Sequence, residues 1–300
     1  MDHRFISKLV ISLFASISFI WGCDKGEDLI YTEEDKSVAV SSNIIVDNGV
    51  RINKPEFNLI EYKRFLYYLA NSDHFIIVPL KDLASTHSET KVVLSLRYDI
   101  DYDINGAIKM AYRERKFKIR SSYFILHTAN YYGKTDIMNF KRNENLIHYL
   151  KYIQDSCCHE IGFHNDLLTL QLIYQIPPRQ FLHNELTFLR SNNIDILGTT
   201  SHGSYYCQIY KYVNAYFWKE FPYNGGNYNY VVKDYKTVYF EKDSLRNYDL
   251  KYQGELLKTD YFFTDVSFKN GKRWNMNMVN FDTIKPGKKV IILLHPGQWN

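Results

Sequence analysis

With 300 residues the chain can bury one sizeable core, and length alone allows one or two domains. Hydrophobic residues make up 45% and charged residues 23%, ordinary for a globular protein, while a formal charge of +4 without a dense Lys/Arg run gives no footprint for a nucleic-acid partner. The unusual feature is aromatic: 26 Tyr and 19 Phe. Tyrosine suits sugar rings, yet aromatics dominate any core by area, so most of these are expected to pack.

The N-terminus reads as a targeting signal. Arg4 and Lys8 are followed by an apolar stretch from Leu9 to Trp21, and small Gly22 precedes Cys23. That stretch is about 13 residues long, short of the roughly 20 needed to span a bilayer. Ile20-Trp21-Gly22-Cys23 resembles a bacterial lipobox, in which the cysteine becomes the lipidated first residue. Residues 1–22 are therefore expected to be a lipoprotein-type signal peptide, with a plain signal peptide or an uncleaved anchor as alternatives. The expected location is the bacterial cell envelope, with the exported protein held to a membrane through lipid on Cys23. Residues 23–55 are polar and irregular and read as a flexible tether, leaving 56–300 as a single domain. Cys157, Cys158 and Cys207 have no metal-type spacing, and a bond from Cys207 to one of the adjacent pair is left open.

From Phe57 onward, Leu59, Ile60, Phe65, Leu66 and Leu69 recur at helical spacing, and Phe75 to Leu80 form a short buried strand. Lys91 to Leu96 is the next strand and leads into Arg97-Tyr98-Asp99-Ile100-Asp101. A helix over 105–117, a strand at Ser122 to Leu126, a helix over 144–155, an extended Glu160 to Phe163, a helix over 179–191 and an extended Ile194 to Leu197 follow. Val290 to Leu294 is the last clear strand. Strands alternating with helices predict an α/β fold with a parallel sheet or barrel. Between about 205 and 280 the pattern loosens into Tyr- and Asn-rich segments that the sequence does not place.

The polar motifs follow strands or short apolar runs, and in parallel α/β folds such loops converge on one face. Asp99 and Asp101 can divide labour, one holding a cation and the other accepting a proton, although Asp also simply caps helices. Asp101-x-Asp103-x-Asn105-Gly106 matches the opening half of an EF-hand loop, but the twelfth position is Tyr112 where a bidentate Glu is needed, and a strand precedes it. His164 lies in His159-Glu160-Ile161-Gly162-Phe163-His164-Asn165-Asp166; imidazole suits zinc and similar metals, and Asp166 could add a ligand or orient an imidazole. His202 sits in a small polar loop, Thr199 to Ser204. His295 opens His295-Pro296-Gly297 and could serve as a general acid.

Together, over about 91–300, these residues resemble the polysaccharide deacetylase superfamily, also called the NodB-homology fold, in the branch whose first motif reads Arg-x-Asp-x-Asp, here Arg97 to Asp101. Glu160 to His164 looks like the second motif, Ser201-His202-Gly203 stands where the third should fall, and Leu294-His295-Pro296 looks like the last. Asp265 and Trp274 stand for the family's Asp/Trp motif. The resemblance implies a distorted (β/α) barrel with fewer than eight strands, a divalent metal, with Zn2+ expected, and hydrolytic removal of N- or O-acetyl groups from an envelope or capsular polysaccharide. Carried over, Asp99 is the general base, His295 the general acid, Asp101 and His164 metal ligands, and Arg97 a supporting residue. The family's usual second ligand histidine, four residues after the first, is Leu168 here. His202 is favoured to fill the gap, with Asp166 as the alternative. Two other functions compete: a non-catalytic carbohydrate-binding protein on the same fold, and a hydrolase of another carbohydrate bond.

Overall fold

Every residue from Val92 to Ile100 is buried, as a strand covered on both faces must be. In the computed structural model, which describes residues 58–222, 229–269 and 272–299, this strand is the axis of the fold. The strands of the central sheet are β1 (Phe75–Ile77), β2 (Val92–Ile100), β3 (Ser122–Leu126), β4 (Glu160–Asn165), β5 (Ile196–Ser201), β6 (Tyr252–Gln253), β7 (Tyr261–Thr264) and β8 (Lys289–Leu294). Their order is β6-β5-β4-β3-β2-β8-β7, with β1 also paired to β2. Every pairing is parallel. The sheet curls into an open half-barrel, with β6 and β7 as its two ends. The expected mixed α/β class with a parallel sheet is therefore present, in a form compatible with a distorted barrel.

The helices are α1 (Leu59–Asn71), α2 (Leu80–Leu83), α3 (Ile104–Lys116), α4 (Leu146–Lys151), α5 (Leu167–Leu172), α6 (Pro178–Ser191) and α7 (Tyr205–Tyr210). Asn58 and Asp103 cap α1 and α3 by accepting the Glu61 and Gly106 amides at 2.8 Å each. Two sequence expectations are corrected and one open alternative is settled. The first strand stops at Ile77 and Leu80 opens a helix, because Pro79 has no N–H for a ladder. The helix over 144–155 gives way after Lys151 to a π-helical turn, Tyr152–Ser156. No bond joins Cys207 to the adjacent pair, since Cys157 and Cys207 carry free thiols.

The inner face of the sheet is filled. Leu80 and Leu83 of α2 close the amino end of the half-barrel against Val93, Phe124 and Ile291. A methyl at Gly162 would overlap the Phe124 ring and one at Gly198 the Tyr252 ring, so two aromatic rings lie directly over strand backbone. The Arg97 guanidinium stands over Phe124, 5.5 Å from the ring centroid. Below it, buried Glu160 accepts hydrogen bonds from Ser122 (2.6 Å) and Tyr252 (2.7 Å). With the lower interior packed, polar side chains with chemistry are left to the carboxyl edge.

On the outer face, α3 buries Glu114. Its carboxyl accepts from Tyr98 (2.6 Å), Ser121 (2.7 Å) and Tyr123 (2.7 Å), and Tyr62 bonds Tyr98 at 2.7 Å. Burial outweighs these donors and lifts Glu114 to about 7. Among the described residues no helix is long and apolar enough to cross a membrane. The expected signal peptide 1–22, Cys23 and the expected tether 23–55 lie outside the described residues.

Candidate metal centre

Strand alternation puts Arg97 and Asp99 on the inner face of β2, two residues apart. Arg97 clamps Asp99 with both prongs, Nε to Oδ1 at 2.9 Å and Nη2 to Oδ2 at 2.7 Å. Burial opposes ionisation of Asp99, but the Arg97 charge beside it wins and brings the carboxyl down to about 2. Glu255 steadies the clamp, since its Oε1 lies 3.5 Å from Arg97 Nη2 and accepts the Ser201 amide at 3.0 Å.

Just past the end of β2, Asp101 presents a buried Oδ1 that has no hydrogen-bond partner among the described residues. A lone buried carboxylate oxygen needs a counterpart. It faces His164 Nε2 at 3.6 Å and His202 Nδ1 at 3.4 Å, and these two nitrogens are 3.2 Å apart. Bonds of about 2.0–2.2 Å from a tetrahedral divalent ion give ligand-to-ligand edges of about 3.3–3.6 Å. The three donors match that spacing, and Asp101, His164 and His202 form a possible metal-binding triad.

The two imidazoles are positioned by the strand ends around them. His164 lies in β4 opposite Thr200 of β5, and its Nδ1 bonds Thr200 Oγ1 at 2.8 Å. With Nδ1 donating, the lone pair sits on Nε2 and faces the triad. Burial depresses His164 to about 4, so it is neutral at ordinary pH. His202 follows β5 and is tied by its amide to the Asn165 carbonyl (2.8 Å) and by its carbonyl to Asn214 (2.8 Å).

His295 follows β8. Its Nδ1 bonds Asp265 Oδ1 at 2.6 Å, while Asp265 Oδ2 accepts the His295 amide (2.7 Å) and the Trp299 indole (3.1 Å). Burial works against its charge, but Asp265 prevails and raises His295 above the ordinary imidazole range. Its other nitrogen, Nε2, lies 4.0 Å from Asp101 Oδ2.

The structure thus brings together Arg97, Asp99, Asp101, His164, His202, Asp265 and His295. Two sequence candidates stand elsewhere. Asp166 is not one of the three convergent donors: its Oδ1 accepts the Thr169 amide (3.4 Å), capping α5, and Asn214 Nδ2 (3.0 Å). Trp274 packs in the core, stacked on Phe263 at 5.6 Å, and Trp299 is the indole that touches Asp265. Leu168 packs into a separate cluster with Leu172, Cys207, Tyr212, Val231 and Phe240, and its amide bonds Asn214 at 2.8 Å. Sequence reading missed Thr200, Asn214 and Trp299. Thr200 lies inside the Thr199–Ser204 stretch around His202 and Trp299 close behind His295, so both carried a readable signal, whereas Asn214 carried none.

No family model, no curated protein and no solved structure matches this chain.

Proposed function

We propose that the protein is a metal-dependent hydrolase that removes acetyl groups from a polysaccharide. The observation that carries this reading is the triad of Asp101, His164 and His202 flanked by two oppositely tuned groups, Asp99 on Arg97 and His295 on Asp265. Environments that push two titratable groups apart mark a division of acid and base labour.

Asp101 Oδ1, His164 Nε2 and His202 Nδ1 would hold the ion, and two imidazoles with one carboxylate favour zinc. When bound, it supplies Lewis acidity toward an acyl oxygen and makes a bound water more acidic. Asp99 stays anionic and aligned by Arg97, with Oδ2 3.5 Å from His164 Nε2, so it can orient a water and receive its proton. A carboxylate this acidic holds that proton only in transit. His295 keeps its Nδ1 proton on Asp265 and offers the Nε2 proton to the departing amine or alkoxide. Thr200 Oγ1 holds the His164 ring in orientation, and the Phe124 ring packs below Arg97.

The test is elemental analysis of purified protein beside an Asp101→Asn, His164→Ala double variant, followed by an acetate-release screen on N- and O-acetylated glycans. About one equivalent of zinc lost in the variant, with acetate released only by the parent, supports the reading. Failure of the parent to bind zinc supplied in excess refutes it, and leaves the carbohydrate-binding alternative.

A further inference from the structure

Tyr102 directly follows Asp101, and its ring is both fixed and open. The hydroxyl donates to the Gly297 carbonyl at 2.7 Å, and the ring lies so close over Gly297 that a methyl there would overlap it. Even so, 63% of the residue is exposed to water. Gly297 belongs to the turn that begins at His295, so the ring bridges the loop of a triad donor and the loop of the acid.

We infer that Tyr102 is a stacking platform for a sugar ring of the substrate chain, beside the acetylated unit at the triad; this rests on the hydrolase reading above. A ring held at its hydroxyl and packed against Gly297 loses little further freedom when a ligand covers its exposed part. With the hydroxyl engaged on Gly297, what it offers is the electron-rich π-face, which suits the apolar C–H face of a pyranose. A nucleic-acid strand could also stack on tyrosine. It would, however, bring phosphates against the carboxylates of Asp99 and Asp101, and the chain has a net charge of only +4 with no basic run. An uncharged glycan meets neither obstacle.

The test uses the full-length, zinc-loaded protein and two probes, the tetramer of N-acetylglucosamine and 4-nitrophenyl acetate, which has no sugar. In Tyr102→Ala the KM for the tetramer rises about three- to tenfold with kcat nearly unchanged. Kinetics on 4-nitrophenyl acetate and zinc content stay at parent values. Tyr235→Ala, which removes an exposed tyrosine from the turn between the antiparallel segments Tyr230–Lys233 and Lys236–Tyr239, matches the parent on both probes. Tyr102→Trp retains the low KM. An unchanged tetramer KM in Tyr102→Ala overturns the platform. If the parent releases no acetate, the hydrolase reading fails separately, and calorimetric titration with the same tetramer decides the platform. A Kd weakened three- to tenfold by Tyr102→Ala supports it. Equal affinities, no binding by the parent, or preference for a single-stranded oligonucleotide overturn it.

Discussion

Replacing Glu114 with Gln isolates the electrostatic cost of one buried carboxyl. In the folded protein Glu114 titrates at about 7 against a reference of 4.5, because complete burial outweighs its three hydroxyl donors. A raised carboxyl favours the folded state while protonated, so its contribution is full below about pH 4.5 and is lost as the pH rises through 7. At about 1.4 kcal/mol per pH unit, the loss between pH 5 and pH 8 amounts to roughly 2–3 kcal/mol. Gln keeps the volume and can still accept from hydroxyls, so the variant lacks this dependence. The net curve of the parent is not the readout, since His159 and His164, both depressed to about 4 by burial, contribute stability that is lost as the pH falls and so act in the opposite direction. The readout is the difference in unfolding free energy between parent and Glu114→Gln, from urea titrations at pH 5, 6, 7 and 8. It should move by roughly 2–3 kcal/mol in favour of the variant as the pH rises. A difference that stays level within about 0.5 kcal/mol would refute the reasoning, because Glu114 would then be charged or neutral throughout.

Arg97→Met leaves the Asp99 carboxylate buried without its clamp and should cost about 3–5 kcal/mol in urea unfolding. Adding Asp99→Asn should restore part of that loss, and a double variant no more stable than the single one would contradict the pairing. Gly198→Ala drives a methyl into the Tyr252 ring, for a loss of about 1–3 kcal/mol that Tyr252→Ala, as background, should largely abolish. Thr200→Val removes the acceptor of His164 Nδ1 and is expected to weaken zinc binding about 10- to 100-fold in competition with a chelator, while Thr200→Ser retains it. Equal affinity in both variants would mean that His164 is oriented by packing alone.

The elements read well where the chain is dense in apolar residues. Ser122–Leu126 falls on its predicted span, and α3, α6 and β8 lie within one residue of theirs. Such strands and helices are set by local periodicity. β6 has only two residues and β7 begins with two exposed ones, so neither shows the alternation or buried run that marks a strand, and 205–280 stayed unplaced. The convergence of Asp101, His164 and His202 was legible because each lies at or just beyond a strand's carboxyl edge. Asn214 was not. Its role depends on reaching Leu168, His202 and Asp166 at once from a short 3-10 turn, and nothing in its neighbours' sequence announces such contacts. Trp274 and Trp299 show the limit from another side: both are indoles near the chain end, and only the tertiary path decides which one meets Asp265.

Arg97, Asp99 and Asp101 occupy one five-residue segment. The proposed base, the charge that tunes it and a candidate ligand therefore travel as a single cassette. Loops elsewhere on the rim can lengthen, shorten or exchange residues while the main counter-ion of Asp99 stays in place, because Arg97 is held by the same strand, with only smaller help from His164 and His295. Changes in the surrounding loops are in this way largely separated from changes to the Arg97–Asp99 pair itself.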